Sequence, residues 1–342
     1  MKSTLKHTLR LGVSVVILAM LVLFATKVNW HIIWAGMKSA SLPLLVAASL
    51  INLSSIVVKG IRWWIFLRPI GVTSPWLALR ATFAGAGLNN VLVANGGEAA
   101  RVVFVSRSAH VPSARVVATL ALERLFELVG YVVMLAMAAS FLDLPPNLER
   151  GKPFALVALV LMIGLLVWLV RRPDAGEMVE GPATEGWKGR FKAQWAHFAH
   201  TIATVSSGPR FIVALLLSVG AWALQVATYQ MTANAAHFPM TIVATIAALL
   251  LVNLGFLFRF TPGNVGLFQA AYAAAAVAFG LDKEQAIAVA FLIQAQQILP
   301  VTALGIALAP EFIFRQKKRR ADDAPGELPS ASRRGGDDRT QL

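Results

Sequence analysis

NNVLVANGGEAARVVFVSR, residues 89–107, stands between two apolar runs and breaks them with Gly96, Gly97, Glu98 and Arg101. Glycine frees the backbone and asparagine bonds locally to it, so Asn89, Asn90, Asn95, Gly96 and Gly97 are what a turn inside an apolar environment uses. At membrane depth such a turn is tolerated only where protein or a water-filled cavity covers it, because an unpaired peptide group costs several kcal/mol in lipid. The apolar segment 76–95 therefore reads as an element that enters and leaves on one side.

The remainder of the chain places that turn in a membrane. Hydrophobic residues make up 57% of the 342 and charged residues 14%, and the mean hydropathy is +0.66. This composition excludes an ordinary soluble domain. Apolar runs near 11–28, 42–67, 113–142, 154–170, 211–233, 241–259, 264–280 and 284–309 approach the roughly 20 helical residues that cross a hydrocarbon core. The expected fold is an all-α integral membrane protein of about eight transmembrane helices, with re-entrant or broken segments near 76–95 and 258–271.

Charge fixes the expected orientation. Of the 31 Lys and Arg residues, 23 fall in segments 1–10, 59–75, 98–115, 171–210 and the tail from Arg315. The alternate loops hold Lys27, Lys38, Arg150, Lys152 and Lys283. All five rich segments face the cytoplasm only if 76–95 is re-entrant, and both termini are then cytoplasmic. The net charge of +14 forms no patch interleaved with stacking aromatics, so anionic lipid headgroups at the cytoplasmic face are the expected partner and nucleic acid is not. The basic, then apolar N-terminus lacks a small-residue cleavage site and reads as a retained first helix. With no cysteine, disulfides, thiolate metal sites and cysteine nucleophiles are excluded.

Residues 1–314 are expected to form one polytopic domain. It includes an amphipathic helix near 186–205, where Trp187, Phe191, Trp195, Phe198 and Ile202 share a stripe and Lys188, Arg190 and Lys192 lie off it. That helix lies on the inner leaflet, or packs on the cytoplasmic face of the bundle. Residues 315–342 read as a basic, disordered cytoplasmic tail.

Ionisable residues inside spans carry the sharpest functional signal, because a charge near the bilayer centre costs about 2.5–3.5 kcal/mol on insertion scales. The run 113–142 holds Glu123, Arg124 and Glu127, with Glu123 about 15 Å from its start and hence near mid-depth if the helix enters at Pro112. Glu123 and Glu127 share a helix face and need a cation beside them. Glu98 and Arg101 from the glycine turn, with Asn52, Lys59 and Arg62 of the second helix, are candidates to complete a polar cavity open to the cytoplasm. A static salt-bridge network that holds the re-entrant element is the alternative, and Lys59 and Arg62 also suit snorkelling beside Trp63 and Trp64. A second break, FRFTPGNVGLFQAA at 258–271, carries Arg259, Pro262, Gly263, Gly266 and Gln269. Paired broken elements point to a central substrate site, and a tight hairpin between two spans is the alternative. Gln294, Gln296 and Gln297 add hydrogen-bonding capacity. No metal-ligand cluster, phosphate-binding loop or nucleophile elbow appears, so no cofactor and no metal are expected.

RWWIFLRP at 62–69, NGGEAARVVFVSR at 95–107 followed by ATLALERLFEL at 118–128, and TPGNVGLFQAA at 261–271 carry a family resemblance. Over most of residues 10–310 the chain resembles the flippase-like family of bacterial membrane proteins represented by the transmembrane region of lysylphosphatidylglycerol synthase. The family pattern has an acid where this chain has Gln269. Only a short tail follows residue 314, so the soluble aminoacyl-transferring domain is expected to be absent and synthesis of lysylated lipid by this chain alone is not expected. The resemblance implies a multi-pass protein of the bacterial cytoplasmic membrane that moves an amphiphilic lipid between leaflets: a phospholipid, aminoacyl-phospholipid, glycolipid or hopanoid. The alternatives are a membrane-embedded lipid transferase or hydrolase, and a scaffold for a lipid-synthesis complex. A second copy of the chain or a lipid-synthesis enzyme is the protein partner such a role admits.

Overall fold

In lipid every peptide group must find its partner within the chain, and a helix achieves this locally. The computed structural model describes residues 26, 29–91, 96–141, 149–170, 209–255 and 264–309, all within the unit Met1–Ala309. Among these residues there are ten α-helices and no strands: α1 Trp30–Lys38, α2 Leu42–Leu67, α3 Pro75–Val91, α4 Gly96–Ala109, α5 Ser113–Phe141, α6 Lys152–Val170, α7 Pro209–Ala235, α8 Ile242–Gly255, α9 Leu267–Ala278 and α10 Lys283–Leu308. The protein is an all-α membrane protein. Leu42–Ile70, which is α2 with the 3-10 turn that follows it, α7 and α10 are each long and apolar enough to cross a membrane. The expected first span 11–28 (apart from Thr26), the surface helix near 186–205 and the tail lie outside the described residues.

The ends of α2 fall where the apolar run predicts, and those of α5, α7 and α10 lie within two residues of it. Two elements differ. α1 was not expected; its N-terminus is capped by the Asn29 side chain, which accepts from the His31 and Ile32 N–H groups. Residues 98–109, read from sequence as part of a loop, are helical. The glycine pair does not end the element but begins α4, with Glu98 in its first turn, where an acid complements the helix dipole.

α3 and α4 form an antiparallel hairpin. The Gly97 N–H donates to Asn89 Oδ1 at 2.9 Å, Arg101 Nη2 donates to Thr82 Oγ1 at 3.4 Å, and the Arg80 guanidinium lies 5.5 Å from the Phe104 ring centroid. Its two ends close on each other, since a Cβ built at Gly71 would lie 3.8 Å from Val111 Cγ1. The helices approach so closely that a Cβ at Gly85 would lie 3.0 Å from the Gly97 carbonyl oxygen, and a Cβ at Gly97 would lie 2.8 Å from Asn89 Oδ1. Any other residue at 97 forces the pair apart.

α3 runs antiparallel to α10: Arg80 Nε donates to the Leu308 carbonyl at 2.6 Å, and near the hairpin tip Asn90 Nδ2 donates to the Gln297 carbonyl at 3.4 Å. From Leu308 to Gln297 the helix rises about 16 Å, so the hairpin reaches about half of a ~30 Å hydrocarbon core. At that level Pro300 interrupts α10. Proline has no N–H for the carbonyl four residues earlier, and that carbonyl, of Gln296, accepts instead from Asn52 Nδ2 at 3.2 Å. Asn90 Nδ2 also reaches Thr302 Oγ1 at 3.2 Å, so α2 and α3 together satisfy the break.

α2 and α7 pack antiparallel, with the Ser41 N–H on the Ala235 carbonyl at 2.8 Å and Arg62 Nη1 on Ser218 Oγ at 2.8 Å. Exposed Trp30 and Trp34 mark one end of the bundle; Trp76, and Trp64 beneath the Arg68 guanidinium, mark the other. From Leu42 to Trp64 α2 rises about 33 Å, the separation expected of two interfacial aromatic belts.

Candidate functional site

The hairpin lays α4 against α5, and α2 crosses behind both. On α5 the four-residue spacing of Glu123 and Glu127 puts both carboxylates on one face, toward α2 and α4. Arg62 of α2 meets them there: its Nη2 pairs with Glu127 Oε1 and lies 4.0 Å from Glu123 Oε1. Lys59 Nζ stands 3.8 Å from Glu127 Oε2, and Arg101 Nη2 of α4 pairs with Glu123 Oε2 at 2.9 Å. The Arg101 guanidinium also covers the Trp63 ring, 3.9 Å from its centroid, and the Trp63 indole is fixed by donating to Thr119 Oγ1 at 3.1 Å. Arg124, a third of a turn around α5, pairs with Glu98 on the adjoining face.

The row Lys59, Arg62, Arg101, Arg124 against Glu98, Glu123, Glu127 carries one positive charge in excess. It grades in exposure: the Arg62 side chain is 0% exposed and that of Arg124 is 55% exposed. Buried charges persist only when paired and hydrogen-bonded, and here each carboxylate has a cationic partner. The Nε donors of Arg62 and Arg101 are nonetheless buried without a hydrogen-bond partner.

Sequence reasoning brought Glu98, Arg101, Glu123, Arg124, Glu127 and Arg62 together, and the structure does so as well. Arg62 does not snorkel; it is fully buried. Glu98 pairs with Arg124, while Arg101 pairs with Glu123. Gln269 does not join the row. It accepts from the Gly266 N–H at 2.7 Å and donates to Gln294 Oε1 at 2.5 Å, in a buried neutral pair. Gly266 takes a positive φ of 89°, as glycine allows, and caps α9. Asn95, Arg259, Pro262 and Gly263 lie outside the described residues. Thr82 and Ser218, both buried partners of the arginines, were not foreseen; a lone hydroxyl in an apolar helix is a weak signal.

A helical bundle with an inserted half-length hairpin and a paired ionic row beneath it defines an integral membrane protein built around intramembrane polar groups. The chain belongs to the family described as the lysylphosphatidylglycerol synthase TM region, whose model matches residues 9–305. No curated protein matches it by sequence comparison. Membership of that family makes this a membrane protein with a lipid-related function.

Proposed function

We propose that this protein carries the headgroup of an amphiphilic lipid (phospholipid, aminoacyl-phospholipid, glycolipid or hopanoid type) from one leaflet to the other while the acyl or polycyclic tails stay in the bilayer. The observation that carries this reading is the ionic row, graded from buried Arg62 to half-exposed Arg124 along a hairpin that reaches mid-bundle. The barrier to lipid crossing is desolvation of the headgroup, and a chain of polar groups lowers it without any covalent step. Glu98, Arg101, Glu123, Arg124, Glu127 and Arg62 are the translocation residues. Residues 1–314 act as one unit in the bacterial cytoplasmic membrane with both termini cytoplasmic, and anionic headgroups surround its basic face.

The test uses purified protein in liposomes with trace labelled lipid: lysyl-phosphatidylglycerol, phosphatidylglycerol, a polyprenyl-linked sugar and a polar-headed hopanoid, each with and without a proton gradient. Accelerated crossing of one class, lost in Glu123→Gln, is expected. A folded preparation that moves none of them but chemically alters a lipid extract makes the protein a lipid-modifying enzyme instead.

A further inference from the structure

Apart from α1 and α6, the helices fall into two sets of one pattern: long, short, short, long. α2, α3, α4 and α5 have 26, 17, 14 and 29 residues, and α7, α8, α9 and α10 have 27, 14, 12 and 26. The sets share a register of 170 positions. Gly96 opens α4 and Gly266 caps α9; His110 and Gly280, both at positive φ, follow those helices; Ser113 and Lys283 begin α5 and α10. Contacts repeat in the same register. Lys59 pairs with Glu127 between α2 and α5, and the Tyr229 hydroxyl bonds the Gln297 side chain between α7 and α10. α2 and α7 run antiparallel, so the second set is inverted relative to the first.

The long closing helix of each set is weakened at the same place. Pro300 interrupts α10, and its equivalent in α5 is Gly130. Each is met by an equivalent residue of the long opening helix. Asn52 of α2 donates to the Gln296 carbonyl that Pro300 leaves free, and a Cβ built at Gly130 would lie 2.4 Å from Nε1 of Trp222 in α7. That indole nitrogen is buried without a hydrogen-bond partner, so no such bond pins it to α5. At these points each closing helix crosses from its own set to the other. Before Pro300, α10 holds α9 through Gln294 and Gln269; beyond it, Thr302 and Leu308 hold α3 through Asn90 and Arg80. Before Gly130, α5 holds α4 through Arg124 and Glu98; beyond it, the Tyr131 hydroxyl donates to the Leu250 carbonyl of α8 at 3.3 Å.

We infer that residues 42–141 and 209–308 are inverted copies of one four-helix unit, and that Pro300 and Gly130 are paired hinges about which the two units rock. The rocking rests on the transport reading above. A stiff helix shared between two units resists their tilting, whereas a helix bends readily where a proline removes a ladder bond or a glycine frees the backbone. Bending at both crossings lets the units tilt about the α2–α7 contact, so that a headgroup reaches mid-depth from each face in turn.

The experiment stiffens each hinge without touching a charge. Pro300→Ala restores the missing N–H, and Gly130→Ala/Trp222→Leu adds the Cβ while clearing the space it needs. In liposomes with each lipid of the panel above, either variant is expected to slow crossing by about tenfold or more, with size-exclusion profiles unchanged and Pro300→Ala at least as resistant to denaturation as wild type. Pro300→Gly, which places the other unit's flexible residue at this hinge, should stay within about threefold of the wild-type rate. Wild-type rates in either folded variant, or an equal loss in Pro300→Gly, overturn the hinges and leave the transport reading standing. The repeat is tested apart from transport: single cysteines at Thr241 and Asp282 should react with an impermeant maleimide from the face opposite to Ser74 and Ser108, and reaction of all four from one face overturns the inversion. If the wild-type protein moves no lipid of the panel, the transport reading fails and the rocking fails with it.

Discussion

Replacing Arg62 with methionine removes the most buried cation of the row while keeping most of its volume. The loss can be worked from its neighbours. Glu127 retains Lys59 at 3.8 Å, an attraction of about 4 kcal/mol at an effective dielectric constant of ~20, and Glu123 retains Arg101 at 2.9 Å. Neither carboxylate is stranded, so the cost should sit at the lower end of the ~3–5 kcal/mol range for breaking a buried pair, near 3 kcal/mol. That corresponds to a change on the order of 10²-fold in the folding equilibrium. The double variant Arg62→Met/Glu127→Gln removes both members of the pair, keeps the wild-type excess of one positive charge, and should recover most of the loss, because replacing a whole buried pair is often close to neutral. Reversible denaturation in mixed micelles, followed by tryptophan fluorescence, measures all three variants of the cycle. An Arg62→Met protein within about 0.5 kcal/mol of wild type, or strictly additive single and double effects, refutes the ionic row as a coupled unit.

Gly97→Val should destabilise the hairpin by about 1–3 kcal/mol or more, since its side chain has no space between Gly85 and Asn89; the same assay reads it, and wild-type stability contradicts the close helix approach. Asn52→Leu should cost about 1–3 kcal/mol by orphaning the Gln296 carbonyl, but much less in a Pro300→Ala background, where the restored N–H takes that carbonyl; equal costs in both backgrounds contradict the assigned role of Asn52. Because the chain has no cysteine, single cysteines at Ser74 and Ser108 can be labelled selectively, and both should react from the same side of the membrane; labelling from opposite sides contradicts a re-entrant hairpin.

The long elements were legible because a span states itself twice, in length and in uniform apolarity. α2, α5, α7 and α10 needed only that. α4 was not legible as a helix: Gly96 and Gly97 signal a turn, its residues are mixed in polarity, and it is held by close contact with Gly85 and Asn89, a tertiary fact absent from local sequence. α1 is nine residues long, too short for periodicity to register, and the structure alone shows Asn29 as its cap. At the site, charge within an apolar run revealed the members but not the pairing. Glu98 and Arg101 are three residues apart on one helix, yet the hairpin turns each to a different partner on α5. The donors that satisfy the proline break had no sequence signal beyond isolated asparagines, because their role depends on which helices α10 packs against.

The most direct test of lipid passage along the ionic row is the transbilayer rate of a tail-labelled lipid substrate in liposomes, measured in parallel for wild type and for the exchanged pair Glu98→Arg/Arg124→Glu. The exchange preserves the ion pair and the net charge, so a purely structural bridge survives it. A headgroup route predicts rapid crossing with wild type and at least a tenfold slower rate with the exchanged pair at unchanged stability. Crossing at the wild-type rate by the exchanged protein, or none with wild type itself, contradicts it.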